Sequence, residues 1–362
     1  MQRALSLAAR GEGLVEPNPM VGCVLARGER VVGEGWHRRF GGPHAEINAL
    51  ARAGRRAKGA TAYVTLEPCC HFGKTPPCTD ALIAAGIRRV VAAMKDVNPL
   101  VAGKGLRRLR AAGIKVEVGL LEREAKALAA PFITFMTKWR PYVILKWAQS
   151  IDGKIATRSG ESKWISSIAS RRVVHALRGK VDAVIAGINT VLADDPQLTA
   201  RLVKPRRIAA RVVLDSRLRT PIASRLVRTA RRAPTLIFTG PQGWRRRRRR
   251  GELEARGCEV ARLKARRGGL DLRGLLGDLH GRGMTNVLVE GGGLVHGAFM
   301  DAGLADEARV FVAPLLIGGE EAPGPLRNSG SKGLGRFPGA MLERQVRMGP
   351  DVCYIMRLGT FS

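Results

Sequence analysis

The sequence predicts an α/β protein of two domains, and three observations carry that expectation. The chain has 362 residues, more than one ordinary core requires and enough for two. Short apolar runs rich in Val and Ile alternate with charged, amphipathic segments along its length. Pro141 interrupts a helical stretch just before the strand-like "YVILKWA". The expected domains are residues 1–139 and 140–362.

In the first domain, "MQRALSLAARGEG" lacks the long apolar stretch of a signal peptide and reads as the beginning of an amphipathic helix. "PMVGCVLARGERVVGEGWH" sets two apolar runs around a Gly-containing turn, as a β-hairpin does. "GPHAEINALARAG" reads as a helix with Gly42 as cap, Pro43 at the first helical position and Gly54 as its stop. "TAYVTL" is a strand, and "PCCHFGKTPPCTDALIAAG" leads into a second helix. "RRVVAAM" and "KVEVG" are further strands, separated by the helical "GKGLRRLRAAG".

In the second domain, "VDAVIAG", "RVVLDS", "TLIFTG", "NVLVEGGG", "RVFVAP" and "VCYIMRL" follow "YVILKWA" as apolar strand candidates. The helix "SIASRRVVHALRGK" precedes "VDAVIAG", and another is expected over residues 270–282.

Composition narrows the class. Apolar residues at 45% and charged residues at 25% describe a globular chain. No run of eighteen apolar residues appears, so no membrane span is expected. Six cysteines in so long a chain make no disulfide scaffold; without a secretion signal they read as reduced thiols, and the protein as cytoplasmic. The net charge of +32 is shared by both halves. It suits attraction to nucleic acid or phosphorylated small molecules, and equally a surface of solvated arginines. The run Arg245–Arg250 after Trp244 reads as an exposed loop.

The chemistry gathers first around "GGPHAEINAL". His44 and Glu46 are two apart and share no face along a regular helix, so they can meet only at its first turn. "TLEPCCHFGKTPPC" then supplies Cys69 and Cys78. One histidine and two thiolates form a tetrahedral zinc set with one position open, and zinc brings the pKa of water held there toward neutrality. Glu46 is left to accept that proton and pass it to a leaving amine. His-X-Glu followed by Pro-Cys and a later Cys is the pattern of zinc deaminases. Cys70 and His71 are rival ligands and are placed outside the metal's own shell.

"NVLVEGGGLVHGAFMDAG" runs a strand into three glycines and a helix, where backbone amides can hold a dinucleotide phosphate. A tight turn with no ligand reads equally well. No Gly-X-Gly-X-X-Gly follows the first strand of this domain, which argues against an ordinary dinucleotide fold.

Eight residues separate Cys69 from Cys78, where nucleoside and nucleic-acid deaminases usually have two. With "PNPMVGCVLA" and "HAE", this spacing resembles the deaminase half of the bifunctional riboflavin-biosynthesis deaminase/reductases. "SIDGKIAT", "SGESKWIS", "NTVLADDPQLTAR", "VVLDS" and "VEGGG" occur in the order of that family's reductase half. The second cysteine of "PCCHFG" and the arginine run match no family motif.

The resemblance implies an N-terminal cytidine-deaminase-like three-layer domain and a C-terminal dihydrofolate-reductase-like α/β domain. It implies Zn²⁺ and NADPH as cofactors and a phosphorylated pyrimidine as substrate. The deaminase half would convert a diaminohydroxy-pyrimidine ribosylamine phosphate to the corresponding uracil, and the reductase half would reduce ribosyl to ribityl. His44, Cys69 and Cys78 would bind zinc, Glu46 would shuttle protons and Asn18 would contact the base. Ala148, Trp164, Thr190, Asp194, Ser216, Gly291, Gly292 and Gly293 would line the cofactor. Ser162, Arg178, Leu198, Arg201 and Glu290 would contact the substrate.

Several of these residues also have bland readings. Asn18 is equally a turn residue between two prolines, and Asp194 and Asp195 a turn pair before Pro196. Lys154 suits a role near the substrate or nicotinamide, or a solvated turn. The family analogy implies a dimer or tetramer. The alternative, a nucleic-acid-binding zinc deaminase, fits the charge but not the 5% aromatic content, since single-strand recognition needs stacking platforms.

Overall fold

The computed structural model describes residues 1–73, 75–266, 269–327, 330 and 339–359, and the chain divides into two compact units, Met1–Arg140 and Pro141–Ser362. The first unit is built on five strands: β1 (Gly22–Arg27), β2 (Arg30–Trp36), β3 (Thr61–Val64), β4 (Arg89–Ala92) and β5 (Lys115–Val118). Their order is β2-β1-β3-β4-β5. The expected hairpin pairs β1 with β2, β1 also runs antiparallel to β3, and β3, β4 and β5 are parallel.

Helices cover both faces. Ala45–Ala53, Cys78–Ala84 and Lys104–Ala111 bury Ala49, Leu82 and Leu109 in a cluster with Cys23 and Leu25. Gln2–Ala8 buries Ala4 and Leu7 with Val24, while Glu122–Leu128 and Ala130–Lys138 bury Ala125 and Phe132 nearby. Neighbouring residues of β1 thus serve opposite layers, as the twofold strand repeat requires. The helix Ala45–Ala53 lies unusually close to β2. A Cβ on Gly33 would come within 2.4 Å of Ala49 O, and one on Gly35 within 2.5 Å of Ala45 O.

The second unit contains β6 (Tyr142–Ser150), β7 (Ala183–Gly187), β8 (Ala210–Leu214), β9 (Thr235–Thr239) and β10 (Glu259–Arg262). A two-residue ladder, β11 (Ala265–Arg266) with β12 (Gly269–Leu270), comes next. The chain continues through β13 (Asn286–Val289), β14 (Glu307–Ala313), β15 (Gly339–Met348) and β16 (Asp351–Gly359). The large sheet has the order β10-β9-β8-β7-β13-β6-β14-β16-β15. It is parallel from β10 to β14 and ends in an antiparallel hairpin, β15 with β16. Leu275, Leu279 and Phe299 from two helices cover one side, and Val174 of the helix Ile168–Arg178 packs with Phe311 and Cys353 on the other.

Two arginine features depart from simple pattern reading. Arg247–Ala255 is a helix, so most of the arginine run is not the expected loop. Glu252 and Glu254 accept Arg248 and Arg250 from one turn earlier, Arg250 lies over Trp244, and Leu253 is buried. Arg211, the second residue of β8, is fully buried. Its guanidinium donates to the carbonyls of Leu226 and Ala233 and the hydroxyls of Thr229 and Thr235, which offsets the cost of its burial. Burial holds its pKa down at about 10.

Candidate functional site

His44, Cys69 and Cys78 converge in the first unit, their ligand atoms all within 4.8 Å of one another. The backbone explains how. His44 is the N-cap of Ala45–Ala53, with extended dihedrals of −71° and 170°, so helical periodicity does not aim its ring. Pro43 therefore stands before the cap rather than at the expected first helical position. Its carbonyl is occupied outside the helix, accepting from Asn48 Nδ2 at 3.1 Å and facing His37 Nδ1 at 3.1 Å. Gly54 ends the 45–53 helix as expected, with φ at +54°.

Cys78 opens its own helix, and its backbone N–H points at Cys69 Sγ, 3.4 Å away. His44 Nδ1 lies 3.3 Å from Cys78 Sγ and 3.5 Å from Cys69 Sγ. Ordinary zinc bond lengths in a tetrahedron put nitrogen and sulfur ligands about 3.6 Å apart. The donor set therefore fits zinc in both chemistry and spacing. Thr75 Oγ1, 3.4 Å from His44 Nε2, steadies the ring from behind. Cys70 and His71 lie outside this cluster, as expected.

The electrostatics divide the roles. A hydrogen bond from Cys78, helped by His44, pulls the Cys69 thiol down to about 4, while the Cys78 thiol is pushed up. Glu46 is 3% exposed, and burial together with the Cys69 thiolate raises its carboxyl to about 7. A carboxyl poised there can take a proton and release it again at neutral pH.

His44, Glu46 and Cys69 border a cavity of about 250 Å³. Asn18 lines it, with Nδ2 3.3 Å from His37 Nε2. A proton on His37 Nδ1 facing Pro43 makes Nε2 the acceptor, which fixes the orientation of the Asn18 amide. Sequence reading missed Glu67, Asp96 and Asn98 on the same cavity. Glu67 is buried and accepts from the backbone N–H groups of Asp96 (3.2 Å), Gly103 (2.9 Å) and Leu106 (3.2 Å), bracing the segment that carries Asp96 and Asn98. Its position two residues before Cys69 was the available signal. His71 also lines the cavity, with its Nδ1 buried and unpartnered among the described residues. Lys74 of the same loop lies outside the described residues.

In the second unit, Thr190, Ser216 and Gly291–Gly293 follow the C-terminal ends of the adjacent parallel strands β7, β8 and β13. Ligands of open parallel sheets bind at that edge. Gly292 caps the helix Gly293–Asp301, and a Cβ on it would meet only Thr190 Oγ1, at 3.8 Å. Gly291 and Gly293 are tight for another reason, since added Cβ atoms would lie 2.6 Å from Val295 and 2.8 Å from Gly324 O. The helix terminus thus presents an open cradle of the kind a dinucleotide phosphate fits. Lys163 Nζ reaches Asp194 at 3.0 Å, bringing the loop that carries Ser162 and exposed Trp164 to the same helix as Thr190. Asp195 ends that helix and accepts from Arg225 N at 2.7 Å. Ala148 lies near the C-terminal end of β6 and packs beside Val174 and Phe311.

Arg178 and Glu290 are bound to each other, Nε to Oε1 at 2.5 Å and Nη2 to Oε2 at 2.8 Å. Lys146, which sequence reading missed, lies 3.6 Å from Glu290. Arg201 is exposed, while its backbone N–H donates to His175 Nδ1 at 2.8 Å. Leu198 is buried with φ at +53°, which leaves its backbone as the part able to meet a ligand. Lys154 is half-buried, and its Nζ donates to Ala322 O at 3.1 Å.

Comparison with known proteins covers the whole chain. The family model of the RibD C-terminal domain matches residues 141–354, and that of the cytidine and deoxycytidylate deaminase zinc-binding region matches residues 1–94. Riboflavin biosynthesis protein RibD of Escherichia coli is 43% identical, over 98% of this chain and 97% of its own length. Its namesake in Aquifex aeolicus is 46% identical over 88% of this chain and 87% of its own. The structure of Acinetobacter baumannii RibD superposes with a TM-score of 0.84 at 39% identity, covering 99% of this chain and 98% of the other. A diaminohydroxyphosphoribosylaminopyrimidine deaminase/5-amino-6-(5-phosphoribosylamino)uracil reductase of Thermotoga maritima gives 0.83 at 36% identity, covering 99% and 97%.

Proposed function

This chain belongs to the RibD family of riboflavin biosynthesis, and from that premise we propose how its residues divide two reactions between two domains. The protein is a bifunctional deaminase and reductase using zinc and NADPH. We assign deamination of a diaminohydroxy-pyrimidine ribosylamine phosphate to residues 1–139 and reduction of the ribosyl group to residues 140–362. The observation that carries this reading is the convergence of His44, Cys69 and Cys78 beside buried Glu46.

His44, Cys69 and Cys78 hold zinc, which when bound supplies the Lewis acidity that makes water a nucleophile near neutral pH. Glu46 accepts the proton of the attacking water and delivers it to the departing amine. Asn18 reads the pyrimidine edge, its amide held by His37.

In the reductase, the hydride comes from NADPH and the chain supplies position. The cradle of Gly291, Gly292 and Gly293, with Ala148, Trp164, Thr190, Asp194 and Ser216, orients the cofactor. Ser162 and the Leu198 backbone hold the substrate. Arg201, with its guanidinium exposed, takes the substrate phosphate, while Arg178 fixes Glu290 toward the sugar. Lys154 supports the turn before the site through Ala322.

Full-length relatives in riboflavin biosynthesis favour the small-molecule substrate over a nucleic acid. Among the described residues no helix is long and apolar enough to cross a membrane. We place the protein in the cytoplasm as a symmetric homo-oligomer, dimer or tetramer. A mass spectrum of the pyrimidine substrate after incubation with zinc-loaded protein tests the reading. Exchange of an amine for oxygen is expected without NADPH, and a gain of two hydrogens with it. An unchanged mass in both tubes, with folded and zinc-bound protein, overturns the assignment.

A further inference from the structure

Trp164 is assigned to the cofactor yet is 70% exposed, so its ring is held by no core. Arg171 holds it instead. Its Cζ lies 4.0 Å from the ring centroid, which rests a guanidinium on one indole face and leaves the remainder open. The loop beneath the ring is tethered elsewhere, where Lys163 Nζ meets Asp194 Oδ1 at 3.0 Å. Backbone and ring therefore have separate anchors.

Arg171 stands where a helix least favours a cation. Its N–H donates to Ser167 O at 3.0 Å, closing the first turn of Ile168–Arg178. The helix dipole opposes positive charge there, and the turn contains no acidic residue of its own. The compensating anion comes from the distant hairpin of β15 and β16. Asp351 is 1% exposed, and its Oδ2 accepts from Ser167 N (2.8 Å), Ser167 Oγ (2.8 Å) and Ser170 Oγ (2.5 Å). These bonds fix the turn from which the Arg171 side chain reaches the indole. Arg171 is half-buried, and its Nε is buried with no hydrogen-bond partner among the described residues. A surface arginine kept for solubility would not be placed this way.

We propose that Arg171 is a positioning residue of the reductase, holding the Trp164 ring so that NADPH packs on its open side. The inference rests on the assignment of Trp164 to the cofactor and deepens it. An indole free on a loop must be ordered when the cofactor arrives, and that ordering weakens binding. A ring already backed by a cation is ordered in advance. Arg171 thus acts on cofactor affinity and leaves the hydride step alone.

The test is a double-mutant cycle read by calorimetric titration with NADPH, on zinc-loaded, full-length protein. The wild type is compared with Arg171→Gln, Trp164→Leu and the two combined. Arg171→Gln is expected to weaken NADPH binding by roughly 3- to 10-fold, with kcat for reduction within about twofold. Unchanged deamination and melting temperature check that this variant is intact. If its melting temperature falls, Arg171→Lys, which keeps the stem and charge but loses the flat face, takes its place in the cycle. In the Trp164→Leu background the arginine substitution should change affinity by less than about twofold, because the ring it acts through is gone. Arg172→Gln removes the same charge from an exposed neighbour and should bind NADPH as the wild type does. No loss at Arg171, an equal loss in both backgrounds, or an equal loss at Arg172 overturns the proposal. A Trp164→Leu variant with wild-type NADPH affinity defeats the assignment of Trp164 to the cofactor, a result distinct from the others.

Discussion

Arg178 grips Glu290 at two points while Lys146 stands 3.6 Å from the same carboxylate, so one buried anion serves two cations. The side chains are 14%, 7% and 16% exposed for Arg178, Glu290 and Lys146, which makes the group sensitive to any unbalanced change. Burial alone would raise Glu290, but the two cations overrule it and hold its pKa at about 2.

Removing the anion is therefore expected to cost more than removing either cation. Glu290→Gln leaves Arg178 and Lys146 facing each other unneutralised, and a loss of about 3–5 kcal/mol is expected. Arg178→Met leaves Glu290 its lysine and should fall at or below the lower end of that range. Urea unfolding of the two variants side by side gives the order, and the reverse order would contradict this account.

Glu46→Gln keeps the shape of the side chain and removes the proton carrier. Zinc content should stay near that of the wild type while deamination falls by roughly 10²- to 10⁴-fold. Metal analysis beside steady-state rates checks both halves of the statement. Zinc lost together with activity would make Glu46 a ligand instead.

Cys78→Ser, or chelation of the wild type, removes the donor set rather than the proton carrier. Zinc and deamination should disappear together, while reduction of supplied deaminated intermediate with NADPH stays within about twofold. A parallel loss of reduction would show the second domain depending on the first.

Acid should weaken the second domain through two histidines. Burial lowers His175 and His296 to about 4 from an unfolded value of 6.5. Between those values the unfolded chain binds protons that the folded chain does not, so the two histidines lower stability as pH drops from about 6.5 to about 4, and their own contribution levels off below that while the Glu290 carboxylate begins to lose its share. Melting temperatures across that range should follow this slope. His175→Asn, which keeps an acceptor for the Arg201 amide, should flatten part of it.

Much of this arrangement is legible in the residues. Local patterning gives the first hairpin, most of the apolar strands and the glycine turn after β13, because each is written within a few residues, while the polar edge strands β10 and β15 pass unnoticed for want of an apolar run. The zinc ligands are legible because few other reasons put His44, Cys69 and Cys78 in Pro- and Gly-rich segments. What escapes is the pairing of distant groups. Lys146 looks like a strand lysine until Glu290 is beside it, and Glu67 shows its purpose only when the amides of Asp96, Gly103 and Leu106 arrive. Arg211 carries no mark of burial, since its partners are carbonyls and hydroxyls of the segment from Leu226 to Thr235, which carry no charge to pair with it. The arginine run hides its helix because the stabilising Glu252 and Glu254 come after it. Pro43 misleads because a proline just outside a cap and one just inside the helix look alike in sequence.

The glycines of β2 carry a genetic consequence. Neither Gly33 nor Gly35 is a metal ligand, yet each sets how near the His44 helix can come to its sheet. Even an alanine at either place would tilt or displace the segment that aims His44 and Glu46. A selection for riboflavin auxotrophs should therefore recover substitutions at these two positions alongside those at the ligands, and a second change in the alanines facing Gly35 should not restore growth, because the clash there is with the helix backbone at Ala45 O and Ala49 N.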